Sequence, residues 1–187
     1  MNPELEVASK EKIEALRKLS DTEYEEYEKA RECLIRFSSD QHLFMIVRLN
    51  YEDYENLLKR YFEEHTKNPS MVGSRIERMA LNLNRHIMNS LSAVRTFLDH
   101  SETNLKKRYG KDSQRVKRFK DACSSAYDNS FSYRFLYKLR DYAQHCGMPL
   151  GQLTLHSEEV EPYSEVVRHF LVVKFSRDEL LKKFDKW

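Results

Sequence analysis

SRIERMALNLNRHIMNSLSAVRTFLDHSETNLKKRY, residues 74–109, decides the fold class. Ile76, Met79, Leu83, Ile87, Leu91, Val94 and Leu98 step by three or four residues. That spacing puts them along one side of a helix. Ser74 to Glu77 reads as a capping box at its start, and Gly110 stands where a helix commonly ends. A helix this long needs neighbours to cover its apolar stripe, so a mainly α bundle is predicted.

Working towards the C-terminus, a basic helix follows, with Val116, Phe119, Cys123 and Ala126 inward. Asp128-Asn129-Ser130 punctuates it, and a further helix runs from Phe131 to a stop at Gly147 and Pro149. Beyond Pro149 the period shortens. QLTLH (152–156) and VVRHFLVVKF (166–175) read as two strands joined by an acidic loop, and His169 is expected to point outward. Ser176 to Glu179 repeats the capping pattern and opens a final helix through Trp187.

Towards the N-terminus, residues 4–19 read as an amphipathic helix. Ser20 to Glu23 forms a capping box for a second helix reaching about Phe37. HLFMIVRL (42–49) reads as a strand, with a helix as its alternative, and Asn50 as the cap of the helix YEDYENLLKRYFEEHT. Lys67-Asn68-Pro69-Ser70 breaks the chain. The expected organisation is an N-terminal helical region (1–70), a helical core (71–150) and a β-hairpin with a terminal helix (151–187), together one compact domain. The sheet is antiparallel and gains a third strand if 42–49 joins it.

Composition bounds the function classes. The chain has 187 residues, 33% of them charged, with four glycines and four prolines. The start is acidic and amphipathic, unlike a secretory leader, and the longest apolar run, 43–47, is far too short for a membrane span. Three scattered cysteines form no C-x-x-C pair, which fits reduced thiols in the cytoplasm better than a disulfide framework or a cysteine zinc site. Histidines 42, 65, 100, 156 and 169 show no metal-ligand spacing. No metal or cofactor is therefore expected. KKRYGKDSQRVKRFK (106–120) holds eight bases against Asp112, a charge block that suits either a polyanion or plain solvation.

The chemistry concentrates in the helix from Phe131. On a helical wheel, Phe131, Phe135, Leu136, Leu139, Tyr142, Ala143 and Cys146 share one arc, which is expected to be core. Tyr133, Arg134, Tyr137, Arg140, Asp141, Gln144 and His145 share the opposite one. That second arc mixes aromatic, cationic and amide groups, which stack on bases and pair with phosphates. Asp141 and His145 are one turn apart, close enough for the carboxylate to hold a ring nitrogen. Arg140 lies on a different bearing, so two copies of the helix across a twofold axis would bring both groups to one cleft. A histidine beside an arginine suits RNA cleavage: the imidazole moves protons and the guanidinium stabilises the phosphorane.

Spacing alone is weak support. R-x4-H occurs three times, at Arg60/His65, Arg95/His100 and Arg140/His145, so a histidine that merely closes a helix is the competing account. Asn82, Arg85, His86 and Asn89 on the long helix either support the site from behind or simply face solvent.

YDNSFSYRFLYKLRDYAQHCGMPL (127–150) resembles the HEPN-like proteins of bacteria, whose signature is arginine, a polar residue, a few others, then histidine. Within that family it is most similar to an uncharacterised group ending in H-x-G-x-P, here His145 to Pro149. The resemblance is strongest over residues 74–150. It implies a helical HEPN fold, homodimers with the motif at the dimer cleft, and metal-independent endoribonuclease activity. It also implies a toxin, toxin–antitoxin or antiviral defence setting with an antitoxin or defence partner protein. By position, Arg140 and His145 match the signature pair and Asp141 the polar residue, where asparagine is common. Tyr133, Arg134, Tyr137 and Gln144 are then the residues expected to meet RNA. The tyrosine modified in one toxin subgroup is replaced by Gly147, so that regulation does not carry over. Some HEPN proteins act only as binding modules for RNA, a nucleotide or a protein, which is the alternative function.

Overall fold

The structure is a computed structural model that describes residues 4–8, 13–69, 73–160 and 166–184. The chain is mainly α with a small antiparallel β element: strands β1 (Glu4–Ala8) and β2 (Ile13–Lys18), helices α1 (Asp21–Lys67), α2 (Gly73–Tyr109), α3 (Gln114–Asn129) and α4 (Phe131–His145), strands β3 (Gln152–Glu159) and β4 (Val167–Lys174), and helix α5 (Arg177–Lys183). It divides into two compact units, residues 1–42 and 43–187.

In the first unit, the described parts of the helix predicted over 4–19 are instead an antiparallel pair, β1 against β2, with Glu4 opposite Lys18 and a register shift between Leu5 and Glu6. Residues 9–12 lie outside the described residues. Glu-Leu-Glu-Val alternates charged and apolar residues, and Ile-Glu-Ala does so for three, as well as they fit a helical face. Helices this short are marginal without a packing partner, so the period of two prevails. The capping box at Ser20 forms as expected: its Oγ accepts the Glu23 N–H at 3.3 Å, and the Glu23 carboxylate accepts the Ser20 N–H at 2.9 Å. Arg17 adds an ion pair to Glu23 at 2.6 Å. These contacts hold the Glu23 carboxyl at about 2, the Arg17 hydrogen bond contributing most and the Ser20 bonds next. Along α1 up to His42, every residue but Glu28 is exposed.

In the second unit, the strand expected at 42–49 is helical, so α1 runs unbroken to Lys67 and no third strand joins the sheet. No glycine or proline interrupts 21–67, and two β-branched residues, Ile46 and Val47, are too few to displace a helix already propagating. Asn50 is not a cap. Its side-chain amide donates to the Ile46 carbonyl, one turn back inside the helix. Pro69 ends α1, because the residue before a proline is driven from helical backbone.

The core forms where the apolar stripes meet. Leu57 and Tyr61 of α1, Met79, Leu83, Ile87 and Leu91 of α2, and Leu139 and Tyr142 of α4 form one buried cluster, joined by Leu150, Leu180 and Phe184. Leu83 and Leu139 are wholly buried, each contributing about 1.5–3 kcal/mol of apolar burial. Gly110, with φ 86°, ends α2 in the left-handed conformation that side chains resist. Ser113, Ser130 and Ser176 cap α3, α4 and α5 through their hydroxyls.

Strands β3 and β4 pair in continuous antiparallel register from Gln152 opposite Lys174 to Glu159 opposite Val167. Leu153, Leu155, Leu171 and Val173 turn one face of this hairpin onto the core. His169 does not point freely outward. It is partly buried, its ring 5.6 Å from that of buried His65 and edge-on to it, and its Nδ1 is 2.8 Å from the Ser157 hydroxyl. Among the described residues, no helix is long and apolar enough to cross a membrane.

Candidate functional site

Helix α4 carries the predicted site and is fixed at both ends. Ser130 Oγ accepts the Tyr133 N–H at its start. At its end, the Tyr142 carbonyl accepts the N–H groups of Cys146 and Gly147. Past the turn, Leu150 N–H donates to the buried Asn84 side chain at 2.9 Å, which ties the exit of α4 to the middle of α2. Nothing in the sequence singles out Asn84 on α2. A lone asparagine in a polar stretch looks like its exposed neighbours until its partner is known.

The two arcs of α4 are only partly separated. Leu139 and Tyr142 are buried, but Phe131 is 72% exposed and Leu136 46%, so the apolar arc is not all core. On the other arc, Arg140 Nη1 pairs with Asp141 at 3.0 Å. Asp141 thus holds the arginine beside it, and the expected Asp141–His145 hydrogen bond is not made. The guanidinium gives the carboxylate a charge-assisted bond. Gln144 and His145 are exposed at the end of the helix. Arg134 is committed elsewhere: Nη1 donates to the Tyr127 and Asp128 carbonyls at 3.2 Å, closing the last turn of α3.

Tyr133 and Tyr137 stand between two cavities. One, of about 520 Å³, is mixed in character and includes Asp99, Glu102, Lys120, Cys123 and Tyr127. The other, of about 510 Å³, has Val47, Leu91, Val94, Leu98, Leu136 and Phe175 in its walls, together with Arg140. Arg95 lines both. Its Nε donates to Asp99 at 3.0 Å and its Nη1 to the Tyr137 hydroxyl at 3.1 Å. Burial lowers its pKa, but Tyr137 and Asp99 outweigh that and raise it overall. Burial, with help from Cys123 and Tyr137, pushes the Tyr133 phenol upward against the pull of Arg95. Cys123 is likewise raised by burial and then by Glu102.

Arg95 is the residue that sequence spacing undervalued. It belonged to one of the three R-x4-H matches, and only the packing of α2 against α4 distinguishes it from Arg60. Of the other α2 candidates, Asn82 donates to the Tyr61 hydroxyl, while Arg85 contacts His86; none of Asn82, Arg85, His86 and Asn89 lines either cavity. Among the described residues, no group of three His, Cys, Asp or Glu is arranged to hold a metal.

Comparison with protein-family models, curated proteins and solved structures finds no match to this chain.

Proposed function

We propose that this chain is a cytoplasmic HEPN-type endoribonuclease, a toxin or defence effector that works without a metal as a homodimer. RNA lies in a cleft shared by two α4 helices. The 2′-hydroxyl attacks the adjacent phosphorus and the 5′-oxygen leaves, giving a cyclic phosphate. His145 moves the proton onto or off these oxygens, Arg140 faces the phosphorane charge, and Asp141 positions Arg140. Tyr133, Tyr137 and Gln144 meet the bases, and Arg134 shapes the groove from the end of α3. One observation carries this reading: the His145 ring is exposed in the last turn of α4, on the same polar arc as an arginine already oriented by its acid.

A second reading, a non-catalytic HEPN-like module binding RNA, a nucleotide or a protein partner, is favoured by the Arg140–Asp141 pair. A neighbouring carboxylate offsets the charge a phosphorane would need. Labelled-RNA cleavage in EDTA separates the two. Cleavage by the wild type that His145→Ala abolishes, with RNA binding kept, supports the enzyme. Binding without cleavage by either protein supports the module.

A further inference from the structure

The 510 Å³ cavity shares Tyr133, Tyr137 and Arg140 with the proposed RNA face, but most of the rest of its wall is apolar, unlike an RNA groove. It arises because the α2 stripe outlasts the core. Leu83 and Leu91 are buried, but one and two turns further on, Val94 is 39% exposed and Leu98 only half-buried. Across from them, Leu136 of α4, Val47 of α1 and Phe175 beyond β4 complete an apolar wall. Ser90 Oγ, donating to the Asn50 carbonyl at 3.3 Å, fastens α2 to α1 on the same side.

The charged groups of this wall are of one sign. Arg95 and Arg140 line it, and no aspartate or glutamate does. Asp99 and Asp141, which hold the two guanidiniums, lie outside the lining, so each arginine is anchored from behind. Arg95 spends Nε and Nη1 on Asp99 and Tyr137, and Arg140 spends Nη1 on Asp141. Neither Nη2 has a partner among the described residues, and Arg140 Nε is buried with none. The buried Arg140 Nε is costly to leave unpaired, and the Nη2 groups are free to donate to an anion. A cavity of this size fits a small molecule rather than a polymer.

From this arrangement we propose that the cavity binds a small apolar monoanion, an alkyl or aryl carboxylate or sulfonate. Its hydrocarbon body lies against Val94, Leu98, Leu136 and Phe175, and its head group accepts from Arg95 and Arg140. The proposal stands whether or not the chain cuts RNA.

The test uses the full chain and two naphthalene probes: the anionic 1-anilinonaphthalene-8-sulfonate and the neutral N-phenyl-1-naphthylamine. The anion is expected to bind saturably, at least about tenfold more tightly than the neutral probe, as one charge-assisted contact warrants. Arg140→Gln and Arg95→Gln should each remove most of that preference while leaving neutral-probe binding in place. Leu136→Trp, which fills the cavity, should weaken both probes. Dodecanoate should displace the anion where dodecanol does not. Cooperative melts of all variants separate cavity effects from unfolding. Equal affinity for both probes, arginine variants that keep the preference, or undiminished binding to a folded Leu136→Trp overturns the proposal. So does displacement by anionic phospholipid vesicles but not by free dodecanoate, which assigns the surface to a membrane.

Discussion

Asn84→Ala is the sharpest perturbation of the scaffold beneath the site. Asn84 is 7% exposed, and its Oδ1 accepts the Leu150 N–H at 2.9 Å; Leu150 is 9% exposed. Alanine leaves that backbone donor buried with nothing to receive it, which costs about 1–3 kcal/mol. For a domain of this size, each kcal/mol moves the midpoint by about 2–4 °C, so Tm should fall by about 2–12 °C. The turn from Gly147 to Leu150 then loosens, and with it the end of α4 that presents His145. Urea denaturation gives the stability change, and amide exchange locates it: Leu150 should lose protection more than the amides of α3. Asn82→Ala, which removes a bond from the half-buried Asn82 amide to the Tyr61 hydroxyl and strands no backbone donor, should cost less. Leu150 exchanging as slowly in Asn84→Ala as in the wild type would refute the argument, because some other acceptor must then serve it.

Two further outcomes follow from local geometry. A Cβ at Gly151 would lie 2.6 Å from the Ser176 nitrogen, so Gly151→Ala must displace the cap of α5; a loss of about 1–3 kcal/mol is expected in thermal melts. Gly147→Ala, whose Cβ meets only the end of the Tyr142 side chain, its hydroxyl at 3.4 Å, should lose less, and equal losses would contradict this account. At the N-terminal capping box, the Glu23 carboxyl titrates at about 2 against an ordinary 4.5. Because its folded value is depressed, its contribution to stability is complete above about pH 4.5 and drains away as pH falls towards 2. Carbon-13 titration should show Glu23 moving up towards 4.5 in Arg17→Ala, and an unchanged midpoint would rule out Arg17 as the main cause.

What the sequence by itself determined is the run of elements from α2 to α5. Those elements rest on local signals. Apolar residues three and four apart mark α2, Gly110 ends it, Ser113, Ser130 and Ser176 open helices, and Gly147 with Pro149 stops α4. The two-faced character of α4 was legible in part: its wheel places Leu139 and Tyr142 in the core, but not the exposure of Phe131 and Leu136.

Tertiary structure decided the rest, because there the local signal is satisfied by two outcomes and a distant partner chooses. Residues 4–8 and 13–18 fit a helix or paired strands, and pairing with each other selects the strands. Residues 42–49 fit a strand or a helix, and α1 carries straight through them. Val94 and Leu98 extend the same stripe as Leu83, but what stands opposite makes the first two a cavity wall and the third core. By spacing Asp141 suits either Arg140 or, one turn on, His145, and the folded helix pairs it with the arginine. Periodicity says which way a side chain faces; only the assembled chain says what it meets there.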